Sequence, residues 1–528
     1  MGGFCLKILL IGPYKNAGLR VGQFLSPPNG IYRIASFVKK KTNVDVDVLD
    51  VDLEGKSKLE ELILENDYDL VGFSLLYPTI QNDIELMYKV KLLSPASVLI
   101  AGGQGAVFIA KTLLPKTPLD LVVHGFGEFA IVELIQLMQS GKYKFGEICK
   151  IKGLSIKNGS KIIESDSRGP FSSEEFNEIT AAFDYSIVPY EKYWGYMESE
   201  YSPEVLEIMK NDGLLYTIRI MTSSHCPMKC SFCSATNFLE ENSKKNQCVL
   251  QMDVDEVINA VKDAIKAHPK VKAFYFVDDN LLQNSERVVE LCTRIVSELG
   301  EKRLNFFCLS RVDNITQNLL SLMKTAGFKL IIFGVESFSN SILNDMNKKI
   351  ASKNPSETAQ DTILQTLEAK ITPLMNLILF YPTTTFNDIE ETIEKAIPLI
   401  EKGARLTVFS FIEVYPGSNI LNEKGLEFSF KKFTINNVDF SLPWTIMPCD
   451  PKIKRLAINS LKLREKLLVD IKNKYLFEKE LPHPVFALTL FMAIYILTNK
   501  PVDRIEKCMD ILMNEAKKEE KLKVVICE

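Results

Sequence analysis

The sequence predicts an α/β protein with two successive arrays of parallel strands and a mainly helical end. Short apolar, β-branched runs alternate with helical patterns over residues 1–140, and the same alternation begins again near residue 216. After about residue 430 the pattern becomes mainly helical. We therefore expect four regions: a first sheet domain (1–145), a hairpin with a connector (146–211), a barrel (212–430) and a small helical domain (431–528).

The first array has five strand-like runs separated by helical segments, which predicts a doubly wound, flavodoxin-like parallel sheet. Each run ends in a small or turn-forming group, and ligands of such sheets bind outside the carboxyl ends of the strands. This region is therefore predicted to bind a ligand. The expected strands lie within residues 6–12, 44–50, 68–75, 97–103 and 119–125.

Two alternating runs flank Asn158-Gly159 within residues 150–165, and this dipeptide is a strong hairpin signal. An irregular stretch rich in Tyr, Ser and Glu follows, to about residue 212. We interpret it as a connector between two domains.

The second array has six strand-helix units without a reversal. This pattern predicts a partial (β/α)6 barrel of the TIM type, whose chemistry lies at the carboxyl ends of the strands. The expected strands lie within residues 216–222, 272–278, 305–310, 330–335, 375–380 and 406–412.

Composition and charge exclude several classes of protein. The 528 residues are 46% hydrophobic and carry a net charge of -4, so no overall basic field favours nucleic acid or an anionic membrane. The uncharged, strongly apolar run 484–498 is shorter than the roughly 20 residues of a membrane-spanning helix. Eleven cysteines, an odd number without an export signal, indicate a reducing compartment, and we expect a cytoplasmic protein.

Three of the cysteines, Cys226, Cys230 and Cys233, lie within eight residues directly after the first barrel strand. Clustered thiolates select iron-sulfur clusters, zinc or copper(I). Structural zinc would need a fourth ligand nearby, and His225 is too close in sequence to Cys226 to chelate comfortably. Three thiolates on a four-iron cluster leave one iron open, as a catalytic metal site requires.

The CxxxCxxC arrangement with Phe232 before its last cysteine resembles that of the radical S-adenosylmethionine superfamily. The resemblance implies a [4Fe-4S] cluster on the three cysteines, S-adenosylmethionine on the open iron, and Phe232 near the adenine. It also implies a one-electron donor such as flavodoxin or ferredoxin. Polar groups at the ends of the third and fourth barrel strands are the candidates for further contacts with S-adenosylmethionine: Ser310, Arg311 and Glu336.

The first domain resembles the cobalamin-binding domain of the cobalamin-dependent radical enzymes. A wide macrocycle needs loops with few side chains, and glycines let the backbone approach it closely. The alternative is a nucleotide-binding or ligand-free flavodoxin-like domain. The resemblance implies that cobalamin is held by residues after the third, fourth and fifth strands: Ser74, Thr79, Gly102, Gly103, Gln104, Gly125, Gly127 and Glu128.

One feature departs from many cobalamin proteins, because the Asp-x-His-x-x-Gly motif is missing after the first strand. The loop there, residues 12–18, contains no histidine. His124 precedes a glycine turn and is predicted to pack against the backbone. The resemblance then implies cobalt without a histidine on its lower face, which residues 75–79 would approach.

These features favour an enzyme that uses two molecules of S-adenosylmethionine, one to methylate cobalamin and one to generate a radical that removes hydrogen from an unactivated carbon. Methyl transfer to that carbon of an unidentified substrate would complete the cycle. A cobalamin-dependent radical oxidation, cyclisation or rearrangement is the alternative. A methylthiotransferase would bring three more cluster cysteines, whereas only Cys5 and Cys149 precede residue 226. A non-enzymatic cobalamin sensor would leave the three-cysteine motif unexplained.

Overall fold

The computed structural model describes residues 6–16, 26–200, 203–211, 215–243, 245–313, 315–474 and 483–524. Cys5, Ala17 and Gly18 lie outside these ranges.

The first sheet has seven strands in the order β2-β1-β3-β4-β5-β6-β7. They are β1 (Lys7–Ile11), β2 (Asp45–Leu49), β3 (Leu70–Ser74), β4 (Val98–Gly102), β5 (Leu121–Val123), β6 (Leu154–Asn158) and β7 (Lys161–Glu164).

Strands β1 to β5 are parallel, which confirms the doubly wound sheet predicted from their apolar runs. The hairpin of β6 and β7 pairs antiparallel with β5 and extends the same sheet. Helices cover both faces of the sheet, as parallel strands require. They are α1 (Asn29–Thr42), α2 (Val51–Glu54), α3 (Lys56–Glu65), α4 (Ile80–Leu93), α5 (Gln104–Val107), α6 (Ala110–Lys116), α7 (Glu128–Gln139) and α8 (Phe145–Ile148).

Three helices connect the first sheet to the second: α9 (Ser173–Thr180), α10 (Tyr190–Glu200) and α11 (Pro203–Asn211). A capping box starts α9, because Ser172 and Glu175 satisfy each other's backbone N–H groups. On α10, Tyr193 Oη donates to Asp50 Oδ2 at 2.7 Å, so this helix is bound to the end of β2.

The second sheet has eight strands, and its six parallel strands follow one another in chain order, which confirms the partial barrel. One face packs on helices, while the other holds a small apolar cluster around Phe307 and Leu330. The parallel strands are β8 (Thr217–Ile220), β11 (Ala273–Phe276), β12 (Asn305–Ser310), β13 (Phe328–Glu336), β14 (Thr372–Phe380) and β15 (Arg405–Glu413). A separate two-stranded pair joins β9 (Ser223–Ser224) to β10 (Leu250–Gln251).

The helices of this second region are α12 (Ala235–Ser243), α13 (Val254–Ala267), α14 (Ser285–Leu299), α15 (Gln317–Ala326), α16 (Asn340–Asp345), α17 (Pro355–Glu368) and α18 (Phe386–Glu401). The C-terminal helices are α19 (Pro451–Lys474), α20 (His483–Leu497) and α21 (Asp503–Val524). Within the described ranges, no helix is both long enough and apolar enough to cross a bilayer.

A long hairpin begins where we expected mainly helix, after about residue 430. Strands β16 (Glu427–Ile435) and β17 (Val438–Met447) pair antiparallel, and β17 also pairs with β15. Asn436 and Asn437 connect them with φ of 49° and 60°, the left-handed conformation of a two-residue hairpin turn. This hairpin corrects the expectation, and helices follow it only from Pro451.

The first domain is in direct contact with the barrel domain. Asn29, at the start of α1, donates to the backbone oxygen of Arg219 on β8 at 3.0 Å. At the other edge of the second sheet, Tyr77 Oη donates to the backbone oxygen of Pro443 on β17 at 2.5 Å, and its ring stacks on Trp444. The first domain therefore contacts both edges of the open barrel.

Candidate functional site

The three cysteines of the CxxxCxxC motif lie in the loop that follows β9. Cys230 is buried, Cys226 and Cys233 are half-buried, and none of them forms a disulfide. Burial raises the pKa of Cys226 above its usual value and that of Cys233 to about 12, and the other thiols of the motif raise both further. Cys226 and Cys233 therefore lie in a weakly solvated environment, in which a bound metal would be needed to keep these two thiols ionised.

Hydrogen bonds from four neighbouring segments fix the shape of this loop. Ser231 N donates to Met346 O at 3.0 Å, and Ser231 Oγ lies 2.8 Å from Tyr381 Oη. His225 N donates to Asp279 Oδ2 at 3.0 Å, while Ile420 N donates to Ser231 O at 2.7 Å. The loop is thus held from β11, α16, β14 and the segment after β15, which all end at the same rim of the barrel.

The three cysteines are donors of the kind that iron-sulfur clusters take. Thiolates bind the irons of such clusters, and each cysteine binds a different iron. Cys226, Cys230 and Cys233 are free thiols on one short loop and can supply three such ligands.

Arg311 lies beside the cysteine loop and is buried. Its Nη1 is 3.7 Å from Cys230 Sγ, and its Nε donates to Asp313 Oδ1 at 2.9 Å. Its Nη2 donates to the backbone oxygen of Lys348 at 2.5 Å. Ser310 precedes it at the end of β12, where its Oγ donates to Asn280 Oδ1 at 3.1 Å. Arg311 therefore places a positive charge next to one of the candidate ligands.

Glu336 ends β13 in a left-handed conformation, with φ of 67°. Its Oε1 accepts from Lys348 Nζ at 2.9 Å, and both side chains are buried. A Cβ on Gly334 would lie 2.5 Å from that same Oε1, so a larger residue there would displace the carboxylate from its present position. Through Lys348, the structure brings Glu336, Arg311 and Cys230 into one connected group.

Phe232 is partly buried and packs in the same apolar cluster as Tyr381 and Met346. The structure therefore brings Ser310, Arg311 and Glu336 to the rim with Cys230, while Phe232, within the cysteine loop, packs against this apolar cluster.

A cavity of about 310 Å³ lies between the first sheet and β8. This volume is within the roughly 300–1,000 Å³ range of small-molecule sites. Most of the first-domain candidates line it: Ser74, Gly102, Gly103, Gln104, Gly125, Gly127 and Glu128. Thr79 does not line it; its Oγ1 instead donates to Asp83 Oδ2 at 2.5 Å and so holds the loop after β3.

Two glycines allow close approach of the backbone at the cavity. Gly103 has φ of 88°, and a Cβ there would lie 3.0 Å from the backbone oxygen of Leu75. At Gly105, in α5, a Cβ would lie 2.5 Å from the carbonyl carbon of Leu76. Strand β4 and α5 can therefore pack directly under the loop after β3, which leaves the strand ends flat. This observation fits a wide, planar ligand.

Charged and titratable groups of the first domain are paired around the cavity. Glu128 is fully buried, and its Oε1 accepts from Arg33 Nε at 2.6 Å. Its Oε2 has no hydrogen-bond partner. His124 does not line the cavity, and its Nε2 lies 2.7 Å from Ser155 Oγ. Burial lowers the pKa of His124, which favours its neutral form.

Sequence reasoning missed the residues that line the cavity from the barrel side. Arg219 lies on β8 between two buried isoleucines, and Phe238, Met221 and Met252 lie near it along the lining. A charged residue inside an otherwise apolar strand was the available signal for Arg219. The methionines and Phe238 carried no signal, because apolar residues near a core are ordinary.

Two family models match the chain. The model described as the radical SAM superfamily matches residues 220–396, and the model described as the B12 binding domain matches residues 17–135. Fold, cysteine loop and matched regions together define a radical enzyme with a second, cofactor-binding domain. The chain belongs to the cobalamin-dependent radical S-adenosylmethionine enzymes, and its cofactors are a [4Fe-4S] cluster, S-adenosylmethionine and cobalamin.

The chain is also similar to individual proteins. It is 26% identical to an uncharacterized methyltransferase of Pyrococcus horikoshii, over 88% of this chain and 94% of that protein. It is 23% identical to the anaerobic magnesium-protoporphyrin IX monomethyl ester cyclase of Cereibacter sphaeroides, over 74% of this chain and 60% of that protein. Its fold matches a structure of the radical S-adenosylmethionine methyltransferase TsrM of Kitasatospora setae, which was solved with cobalamin and a [4Fe-4S] cluster bound. The match has a TM-score of 0.65 and 14% sequence identity, and it covers 93% of this chain and 88% of that chain.

Proposed function

We propose that this enzyme methylates an unactivated carbon of its substrate. The observation that carries the proposal is a cavity lined both by the strand ends of the first sheet and by Arg219 and Ile220 of β8. A methyl donor held by one domain and a substrate radical formed in the other could meet there. The similarity to an uncharacterized methyltransferase over most of both chains supports methyl transfer.

In this proposal each group of residues has a separate task. Cys226, Cys230 and Cys233 hold the cluster, while Ser310, Arg311, Glu336 and Phe232 bind and orient S-adenosylmethionine. Residues around the cavity and the loop that borders it hold cobalamin: Ser74, Thr79, Gly102, Gly103, Gln104, Gly125, Gly127 and Glu128. When bound, the cofactors supply a strong methyl donor and a one-electron route to a carbon radical. A donor such as flavodoxin or ferredoxin would provide the electron.

The experiment compares two products of S-adenosylmethionine. Protein loaded with cluster and cobalamin without oxygen is incubated with S-adenosylmethionine and a reductant, and S-adenosylhomocysteine and 5'-deoxyadenosine are quantified. Methyl loading produces S-adenosylhomocysteine in an amount equal to the bound cobalamin, even without substrate. Absence of S-adenosylhomocysteine from fully loaded protein would contradict the proposal.

A matched control separates the two uses of S-adenosylmethionine. In the Cys226→Ala, Cys230→Ala and Cys233→Ala triple variant, we expect 5'-deoxyadenosine to disappear while cobalamin stays bound. A triple variant that still forms 5'-deoxyadenosine would show that the three cysteines do not hold the cluster.

The second candidate is a cobalamin-dependent radical oxidation, cyclisation or rearrangement without methyl transfer. The similarity to a ring-forming cyclase favours it. It predicts 5'-deoxyadenosine without S-adenosylhomocysteine in the same experiment, so one measurement distinguishes the two reactions.

A further inference from the structure

Arg219 lies on the inner face of the barrel at the cavity. Its neighbours in β8, Ile218 and Ile220, are buried in the core that includes the barrel helices. Because side chains alternate along a strand, Arg219 lies on the opposite face. It is paired in register with Tyr275 of β11, and its guanidinium carbon is 5.8 Å from the Tyr275 ring centroid.

This guanidinium has no acidic partner within the described part of the chain. The titratable groups that act on it are the phenols of Tyr275 and Tyr190, and burial lowers its pKa below the ordinary arginine value. The arrangement differs from those of two other arginines, of which Arg33 is half-buried and Arg311 is buried. Arg33 is paired with Glu128 in the same cavity, and Arg311 is paired with Asp313.

Arg219 is half-buried, and a partly desolvated charge without a partner is unfavourable, so proteins ordinarily compensate it. Arg219 is among the residues that line the cavity, so a ligand bound there can supply the compensating charge. The planar fork of arginine matches the two oxygens of a carboxylate or phosphate.

We propose that Arg219 binds an oxyanion, a carboxylate or phosphate, of the ligand that occupies the cavity between the two domains. The proposal deepens the proposed function and rests on it. Two ligands could supply such a group: the substrate, or cobalamin through the phosphodiester of its nucleotide tail. The position of Arg219 beside Tyr275, on the inner barrel face rather than at the glycine-lined strand ends, favours an acidic substrate.

The test measures binding of inorganic phosphate to the full chain. The thermal unfolding midpoint is followed as phosphate replaces chloride at constant ionic strength, because a ligand that binds the native state raises the midpoint. We expect phosphate affinity to fall about tenfold in Arg219→Gln and to be largely retained in Arg219→Lys, which keeps the charge. Arg303→Gln, at an exposed arginine of the same domain, is the control and should behave as the wild type.

Three forms of the wild-type protein identify the source of the oxyanion: without corrinoid, with cobinamide, which lacks the nucleotide tail, and with cobalamin. Phosphate binding that persists with cobalamin supports a substrate acid. Binding that persists with cobinamide but is lost with cobalamin assigns Arg219 to the phosphodiester of the cofactor.

Equal phosphate affinity in the wild type and in Arg219→Gln would overturn the proposal. Should Arg219→Gln fail to fold, Arg219→Met and Arg219→Lys provide the same comparison of neutral and charged side chains. This outcome is separate from the product experiment, since S-adenosylhomocysteine formation does not depend on phosphate. A protein that forms S-adenosylhomocysteine but binds no phosphate would refute only the role of Arg219.

Discussion

Arg311 connects the cysteine loop to the strand ends through a few atoms. Its guanidinium contacts Cys230 Sγ, Asp313 and the backbone oxygen of Lys348 at once. A positive charge and a hydrogen bond near a cluster sulfur raise the reduction potential of the cluster. If Cys230 binds the cluster as proposed, this side chain would affect both the position of the loop and the reduction potential of the cluster.

We expect Arg311→Gln to lower the reduction potential of the cluster and to slow 5'-deoxyadenosine formation by about 10- to 100-fold. The magnitude follows from the roughly 1.5–3 kcal/mol of a hydrogen bond to a charged group. Redox titration followed by electron paramagnetic resonance measures the potential. Arg303→Gln is the control, and an unchanged potential in Arg311→Gln would show that the contact with Cys230 has no electrostatic effect.

Asp50 gives a prediction about pH. It lies at the end of β2, is buried, and accepts from Tyr193 Oη. Burial raises its pKa above the ordinary 3.8, so the folded state binds a proton that the unfolded state releases in the same pH range. Its contribution to the free energy of unfolding is therefore greatest below pH 3.8 and is lost as pH rises through its pKa in the folded protein.

Asp50→Asn removes this titration and keeps an acceptor for Tyr193. We expect the variant to gain unfolding free energy relative to the wild type as pH rises above 3.8. Urea unfolding at several pH values measures the difference. Asp361→Asn, at an exposed position of α17, controls for the loss of a carboxylate. A constant difference across the range would contradict the assignment.

Between neighbouring elements, the close approach of α5 to the loop after β3 depends on Gly105. A methyl group there would collide with the backbone of Leu76 and Tyr77. We expect Gly105→Ala to lower the free energy of unfolding by about 1–3 kcal/mol, as overpacking does, and to reduce bound cobalamin. The measurements are denaturant unfolding and the absorbance of bound cobalamin.

Gly146→Ala is the matched control, because no atom lies within 4 Å of its added Cβ and the residue is helical. This change should leave cobalamin binding intact and leave the stability equal or higher by about 0.4–1 kcal/mol. Equal cobalamin content in both variants would mean that the loop after β3 does not help to hold the cofactor.

The sequence predicted the parallel strands but not the hairpin of β16 and β17, and this difference has a physical basis. Strand β3 and most of β13 are buried, so these strands appear in the sequence as nearly continuous apolar runs. Strands β16 and β17 have exposed and buried positions that only partly alternate, and their turn is Asn436-Asn437 rather than the stronger Asn-Gly signal. The hairpin was therefore missed, although its left-handed asparagines fit a known turn type.

Only the local parts of the candidate site could be predicted from the sequence. Cys226, Cys230 and Cys233 form a local motif whose spacing alone carries information. Arg311 and Glu336 could be placed at the strand ends, but their connection through Lys348 depends on the distant contact of α16 with the cysteine loop. Sequence gives no measure of such long-range contacts, and the unpaired state of Arg219 is likewise visible only in the fold.

Across the two domains, apolar packing is continuous. One buried cluster includes Ile31 and Phe37 of α1 together with Ile218 of β8 and Phe274 of β11. Because the sheets share this core, we expect calorimetry of the full chain to show a single cooperative unfolding transition. Cobalamin at a free concentration of 100 times its Kd should stabilise that entire transition by about 2.7 kcal/mol. Two transitions, with only one shifted by cobalamin, would show that the domains unfold independently.

The contacts of the first domain with both edges of the barrel also determine which residues a chimera between related enzymes must exchange together. Tyr77 meets Trp444 and Pro443 on the hairpin of β16 and β17, and Lys116 Nζ donates to the backbone oxygen of Asp439 there. A chimera that replaced residues 1–165 alone would leave this hairpin facing a foreign surface. The unit to exchange is discontinuous: the first domain together with residues 427–447, more than 250 positions further along the chain.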